Sequence, residues 1–209
     1  MKVVAFNGSP KKEGNTYHAI KMVEEELKQE GIAVEIIHVG DKAIRGCLAC
    51  NACARNKNGK CIIDNDEVNI WIQKMREADG ILLGSPVYYS AIAGTMKSFL
   101  DRAFYVANDG SLRHKVGAAV VAVRRSGGVT TFNQLNNYIN YAEMLMPSTN
   151  YWNVIHGTAP GEAIEDEEGK QIMRILGKNM AWLMKLVNNG KKTIKEPERE
   201  GKIFTNFIR

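Results

Sequence analysis

Lys2-Val3-Val4-Ala5-Phe6-Asn7-Gly8-Ser9-Pro10-Lys11-Lys12-Glu13-Gly14-Asn15-Thr16 opens the chain and decides how the rest is read. Residues 2–7 form a nearly continuous apolar run rich in valine, the pattern of a strand buried on both faces. A polar, glycine-bearing loop follows. Ala19, Ile20, Val23 and Leu27 then recur at helical spacing, with Gly31 near the helix end. A buried strand feeding a helix through a short loop is the first half of a βαβ unit, and it implies a parallel sheet covered by helices.

The same alternation continues along the chain. Strands are expected at Ala33–Val39, Gly80–Gly84, Val116–Val123 and Tyr151–Ile155. A helix is expected around Asp66–Glu77, with Asp64 and Asp66 capping it. Further helices carry Met96, Phe99, Leu100, Ala103 and Phe104, then Phe132, Leu135, Ile139 and Ala142, and a closing one spans Gln171–Val187. The pattern predicts a doubly wound, five-stranded parallel α/β sheet with helices on both faces. It forms one domain over residues 1–187, with a cysteine-rich insert at 47–61 and a tail at 188–209. The nine methionines fall mostly at core spacing and read as packing.

At 209 residues the chain suits one α/β domain, and 44% apolar with 24% charged residues is an ordinary globular composition. No apolar run approaches the roughly 20 residues that cross a bilayer. The first residues are too short an apolar stretch for a signal peptide, so a cytoplasmic location is expected. Of the net charge of +5, Lys185 to Arg209 supply most, with seven Lys/Arg against three Glu. The body carries no basic stripe with interleaved aromatics, so neither nucleic acid nor membrane is expected as a partner.

Backbone N–H groups at a helix start, backed by the helix dipole, make an anion site of the first loop. Ser9, Asn15 and Thr16 add donors suited to phosphate. G-x-G-x-x-G is excluded because Pro10 stands where its second glycine would be. A P-loop is excluded because Glu13 and Gly14 stand where its glycine and lysine would be. A polar turn with a helix cap remains the alternative for this loop.

In doubly wound sheets, ligands bind beyond the carboxyl ends of the strands where the winding reverses. With that point between strands one and three, the first loop meets Gly84-Ser85-Pro86-Val87-Tyr88-Tyr89-Ser90. Tyr88 and Tyr89 offer flat faces for a ring system. Arg124-Arg125-Ser126-Gly127-Gly128 leaves the fourth strand at the same edge.

All four cysteines, Cys47, Cys50, Cys53 and Cys61, fall in one C-x2-C-x2-C-x7-C cluster. In a reducing compartment this reads as a metal or redox site before disulfides. Three thiolates spaced by two residues and a distant fourth suit a 4Fe–4S cluster. No proline follows Cys61, and the last gap exceeds that of the bacterial ferredoxin run. Zinc in a four-thiolate site and four unligated thiols remain alternatives. His18, His38, His114 and His156 are scattered with no acid–nucleophile pattern, so none is assigned to catalysis.

Taken together, the GSP-K-x2-GNT loop at 8–16, ADGILLGSPVYY at 78–89 and the R-x-G-G loop at 125–128 resemble the NADPH-dependent FMN reductase superfamily of flavodoxin-like proteins. The cysteine spacing most resembles the iron–sulfur flavoproteins within it. The resemblance covers about residues 1–187 and implies the flavodoxin-like strand order 2-1-3-4-5. It implies FMN with its phosphate on Ser9, Lys11, Gly14, Asn15 and Thr16. The ring would lie against Pro86, Val87, Tyr88 and Tyr89, with Ser126 and Gly127 in the third loop. It further implies a homodimer or homotetramer.

The expected function is an FMN-dependent oxidoreductase that takes electrons from NAD(P)H, or from ferredoxin through the cluster. It would pass them to a small acceptor such as a quinone, a nitro compound or oxygen. The flavin would carry the chemistry, so no side chain is needed as a general base. A non-catalytic flavin and iron–sulfur electron carrier, a cluster-free NAD(P)H:FMN or quinone reductase, and a zinc-stabilised binding module are the alternatives. The tail ends in Ile203-Phe204-Thr205-Asn206-Phe207-Ile208-Arg209, whose four large apolar residues gain nothing in water. Crossing to a neighbouring subunit and folding back on its own sheet are the two readings of that segment.

Overall fold

The computed structural model describes residues 1–205 and 207. A parallel sheet runs in the order β2 (Ala33–His38), β1 (Lys2–Asn7), β3 (Gly80–Tyr88), β5 (Val116–Val123), β6 (Val154–His156). A two-residue β4 (Ala91–Ile92) pairs antiparallel with the end of β3. Without β4 this is the expected order. β1 and β5 match the expected bounds, because unbroken Val/Ala runs have no exposed face to blur them.

One face is covered by α1 (Asn15–Gln29) and α6 (Glu167–Gly190), whose Ile20, Val23, Met173 and Met180 pack on Val3, Ala5 and Leu82. The other is covered by α3 (Val68–Glu77), α4 (Gly94–Val106) and α5 (Gly128–Tyr141), with Trp71, Phe99 and Leu135 against Phe6 and Leu83. No helix among the described residues is long and apolar enough to cross a membrane.

The bounds of several elements differ from the sequence reading, and for three elements the reason is visible. β3 runs to Tyr88 rather than Gly84, because its ladder with β5 continues through Ser85↔Val121 and Pro86↔Ala122 after β1 has ended opposite Gly84. Beyond that point β3 has a free edge, where proline is tolerated. The last strand starts at Val154, not Tyr151. Asn153 spends its side chain on the Ala119 carbonyl (3.0 Å) before the ladder begins. The closing helix starts earlier and ends later than expected, at Gly190. Asp166 caps its start by accepting from Gly169 N at 2.9 Å, and Glu167 and Glu168 favour the positive end of the helix dipole.

The tail therefore begins after Gly190 rather than at Asn188. Its described part folds back on its own domain, along the 107–115 loop and the end of α5 rather than across the sheet. Arg113 Nη1 donates to the Pro197 carbonyl (2.8 Å), and Arg199 Nη2 to Asn108 O (2.9 Å). The Lys202 ammonium lies 4.3 Å from the Tyr141 ring centre. Ile203, Phe204 and Phe207 are exposed. Asn206, Ile208 and Arg209 lie outside the described residues.

Candidate functional site

The first loop is held in shape by a residue the sequence reading assigned only to the strand. Buried Asn7 at the end of β1 donates from Nδ2 to the Lys12 carbonyl (3.0 Å) and accepts from Ser9 N (3.1 Å). Ser9 Oγ accepts from Lys11 N, and Gly14 N donates to the Lys11 carbonyl. A ring nitrogen of His38 sits 2.8 Å from the Ser9 carbonyl. The loop delivers the chain to Gly14, the N-cap of α1, which supplies no side-chain cap. The first-turn amides of α1, which have no partner within a helix, are thus left open.

Gly14, Asn15 and Thr16 at that helix start border a cavity of about 210 Å³ at the carboxyl edge of the sheet. Ser9, Lys11, Gly14, Asn15 and Thr16 line one end. Thr16 is 1% exposed, and its hydroxyl Oγ1 has no hydrogen-bond partner. A buried hydroxyl without a partner is costly unless something fills the cavity beside it. Pro86, Val87 and Tyr88 of β3 line the cavity beside Ala122 and Arg124 from the end of β5, Ala122 standing opposite Pro86 in the ladder. The lining contains two cations, Lys11 and Arg124, and no carboxylate. The electrostatics favour an anion.

Close approach shapes this edge. A Cβ at Gly84 would lie 2.7 Å from Ile20 Cδ1 and 3.0 Å from Thr16 Cγ2, so glycine lets α1 seat Thr16 against β3. Past β6, Gly157, Thr158 and Pro160 complete the lining, and a Cβ at Gly157 would lie 2.8 Å from Asn15 Nδ2. Asn15 Oδ1 in turn accepts from Ala163 N (3.1 Å), tying this loop to the first. The sequence reading missed the segment, although Gly157-Thr158-Ala159-Pro160-Gly161 follows a strand at the same edge.

The aromatic pair separates. Tyr88 is half exposed and lines the cavity, whereas Tyr89 is fully exposed and does not. Tyr89 and Ser90 are the two central residues of the β3–β4 hairpin, both left-handed at φ 50° and 58°. That is the geometry of a tight hairpin turn usually filled by Asn-Gly, and it carries strain in a tyrosine. Ser126 and Gly127 do not line the cavity either. Gly127 packs beneath the hairpin, where a Cβ would lie 2.7 Å from Ser90 Oγ, and it is Arg124 from the same loop that reaches the cavity.

The four cysteines come together elsewhere, between β2 and α3. Cys47 and Cys50 are exposed, and Cys53 and Cys61 are half-buried. They share one cleft of about 20 Å³ with Ile62, Arg102 and Tyr105. A five-residue α2 (Ala52–Asn56) carries Cys53, flanked by left-handed Ala49, Asn51 and Lys57. Asn69 of α3 brackets Cys61, accepting from its N–H (2.8 Å) and donating to its carbonyl (3.0 Å). Burial pushes the Cys53 thiol up, and the nearby Cys61 and Cys47 add to this, against N–H donors at Ala54 and Cys53. Among the described residues, no group of three or more His, Cys, Asp or Glu is arranged around a single ion position. The N-cap of α3 is Glu67 and makes no side-chain cap, so neither Asp64 nor Asp66 takes the expected capping position; Asp66 accepts from Val68 N at 3.1 Å one residue earlier and pairs with Arg102.

A larger open hollow of about 800 Å³ lies between the insert and α3. Its Arg76 is paired with Asp109 (2.7 Å) and its Lys74 with Glu35, so much of its charge is already satisfied. The smaller cavity at the carboxyl edge is where loops from four strands meet.

The chain is 38% identical over 194 residues to an iron–sulfur flavoprotein of Methanocaldococcus jannaschii, covering 90% of this chain and 99% of that one. An iron–sulfur flavoprotein of Methanosarcina thermophila is 28% identical, with 91% and 99% covered. In fold it is similar to the crystal structure of RosB with a bound riboflavin-5′-phosphate intermediate (TM-score 0.73, 16% identity, 100% and 92% covered). It also resembles an archaeal flavodoxin (TM-score 0.60, 17% identity, 88% and 99% covered). The model of the NADPH-dependent FMN reductase family matches residues 1–159, and with that match the chain belongs to this family of flavodoxin-like proteins.

Proposed function

We propose that the protein is an FMN-dependent oxidoreductase carrying a 4Fe–4S cluster. It takes electrons from NAD(P)H or ferredoxin and passes them to a small acceptor such as a quinone, a nitro compound or oxygen. The observation that carries the flavin half is the Thr16 hydroxyl, buried and unpartnered beside the open amides of α1 in a cavity without carboxylates. These are the donors a phosphate monoester needs. FMN, when bound there, supplies hydride and single-electron transfer. Ser9, Asn15, Thr16 and Lys11 would hold and neutralise the phosphate. Tyr88, Val87 and Pro86 present an apolar wall to the ring, and Arg124 adds a cation to the same lining.

Cys47, Cys50, Cys53 and Cys61 would hold the cluster. Their common cleft supports this. Zinc at about 2.3 Å from each thiolate needs sulfurs nearly in contact, whereas a cubane takes one thiolate per iron corner. The exposure of Cys47 and Cys50 favours a second reading, an electron carrier whose cluster meets protein partners at the surface. We place the protein in the cytoplasm as a homodimer or homotetramer, with the exposed Phe204 and Phe207 packing on a neighbouring subunit.

The test is a paired assay of anaerobically reconstituted protein. It should contain about four iron and four sulfide per chain, and its flavin absorbance should bleach with NADPH, NADH or reduced ferredoxin. Turnover of a quinone or nitro compound separates the enzyme from the carrier. Stoichiometric zinc without sulfide would sink the cluster.

A further inference from the structure

The deepest charge in the molecule belongs to neither proposed cofactor site's ligand set. Arg102 of α4 has a side chain with no solvent exposure. Burying a guanidinium is costly unless partners offset the lost solvation, so its position calls for a reason. Its partners supply one. Nη1 donates to the Arg45 carbonyl (3.3 Å), two residues before Cys47. Nη2 donates to the Ile63 carbonyl (2.9 Å), two residues after Cys61. Both nitrogens engage the Asp66 carboxylate, Nη2 to Oδ1 at 3.1 Å. The guanidinium also lies beside the Cys61 thiol and lines the same cleft as the four cysteines, while its Nε has no partner. One turn along α4, the Tyr105 hydroxyl donates to Asn51 Oδ1 within the insert.

The insert between Arg45 and Ile63 has only the one-turn α2 of its own. Nothing in its regular structure keeps its ends together. A planar fork with several donors is the side chain suited to pinning two carbonyls and a carboxylate at once, which an ammonium could not do. The same fork puts a positive charge, unscreened by solvent, next to a cleft that would fill with thiolates.

We propose that Arg102 is the positioning residue of the cysteine site, pinning both ends of the insert and setting the charge that a bound cluster meets. Asp66 is its counterweight. This rests on the cluster reading above. Net charge, hydrogen bonds to sulfur and burial are what tune a cluster's potential. Removing the guanidinium therefore makes reduction harder, and removing the Asp66 charge makes it easier. A merely structural role would move neither in a signed way.

The test compares the anaerobically reconstituted full chain with Arg102→Gln, Arg102→Lys and Asp66→Asn. The readouts are the midpoint potential, the rate of iron loss to a ferrous chelator, and FMN content as the check on folding. Arg102→Gln should lower the potential and speed iron loss roughly 10- to 100-fold, the usual cost of removing a residue that orients metal ligands. Arg102→Lys should lose iron faster yet keep a potential near that of the parent. Asp66→Asn should raise the potential. In the metal-free chain, trypsin should cut after Lys57 and Lys60 faster in both Arg102 variants.

If Arg102→Gln fails to fold, the other two variants decide: faster iron loss at an unchanged potential in Arg102→Lys, and a raised potential in Asp66→Asn. Potentials that do not move, or that move in the same direction in Arg102→Gln and Asp66→Asn, overturn the proposal while leaving the cluster standing. A parent protein that takes up neither iron nor sulfide overturns the cluster reading, and the proposal with it.

Discussion

At the carboxyl edge of the sheet, loops from four strands converge on one cavity, and every wall is tied to a ladder or a helix start. In the cysteine insert, four thiols share a cleft on a segment with one short helix, held from below by α4 and from the side by Asn69. The first site is built by the fold, so its lining could change with little effect on the sheet. The second is built by a handful of hydrogen bonds, so its geometry depends on a few residues. The difference teaches where each site is vulnerable. One should fail locally, by loss of a ligand contact. The other should fail as a unit.

The largest expected effect follows from that. Cys53→Ala should abolish the iron–sulfur absorbance altogether and leave FMN bound. Loss of both groups on iron, sulfide and flavin analysis would show that the two regions are not independent. Next in size is Thr16→Ala. A hydrogen bond to a charged group contributes about 1.5–3 kcal/mol, so FMN affinity should fall roughly 10- to 100-fold. Riboflavin affinity should barely change in a fluorescence titration. An equal loss for both flavins would place the phosphate elsewhere.

The contrast also explains what was legible in the sequence. β1 and β5 were readable to the residue because Val3–Phe6 and Val116–Val123 are buried on both sides. The first loop was readable because its residues follow a strand and precede a helix. The insert showed its cysteines, but not its shape. Left-handed backbone at Ala49, Asn51 and Lys57 has no glycine to announce it. Arg102 was illegible for the same kind of reason, since a charged residue in an amphipathic helix reads as solvated until the chain that covers it is known. Gly157–Gly161 carried a signal that went unread, a glycine-bounded loop at the end of a strand. In the third loop Arg124 lines the cavity and Ser126 and Gly127 do not, and a donor-rich loop does not reveal in sequence which of its residues turns inward.

Two smaller effects sharpen the account of the scaffold. Asp166 sits below the usual carboxylate range. Burial acts against this, but N–H groups of Gly169 and His156 and the His156 ring outweigh it. Its contribution is therefore present above the unfolded carboxylate value near 4 and is lost as the pH falls through the lower folded value. Asp166→Ala should cost about 1 kcal/mol of cap at neutral pH, or about 2–4 °C in Tm. That gap should narrow in acid, and a gap constant with pH would remove the carboxylate from the explanation. The smallest effect is expected at the hairpin. Tyr89→Gly relieves a left-handed tyrosine and should raise stability by about 0.5 kcal/mol, partly offset by chain entropy. FMN affinity should stay the same, since Tyr89 does not line the cavity. A marked loss would mean that the hairpin closes over the flavin.

The central claim is that the cavity at the carboxyl edge recognises a flavin through its phosphate. Titrating the flavin-free protein with FMN, riboflavin and FAD in parallel tests it most directly. FMN should bind at least about tenfold more tightly than riboflavin, in keeping with a charged group that gains several donors. FAD should bind worse than FMN, because its phosphate is esterified where the first loop closes. Equal affinities for FMN and riboflavin, or a preference for FAD, would contradict the account.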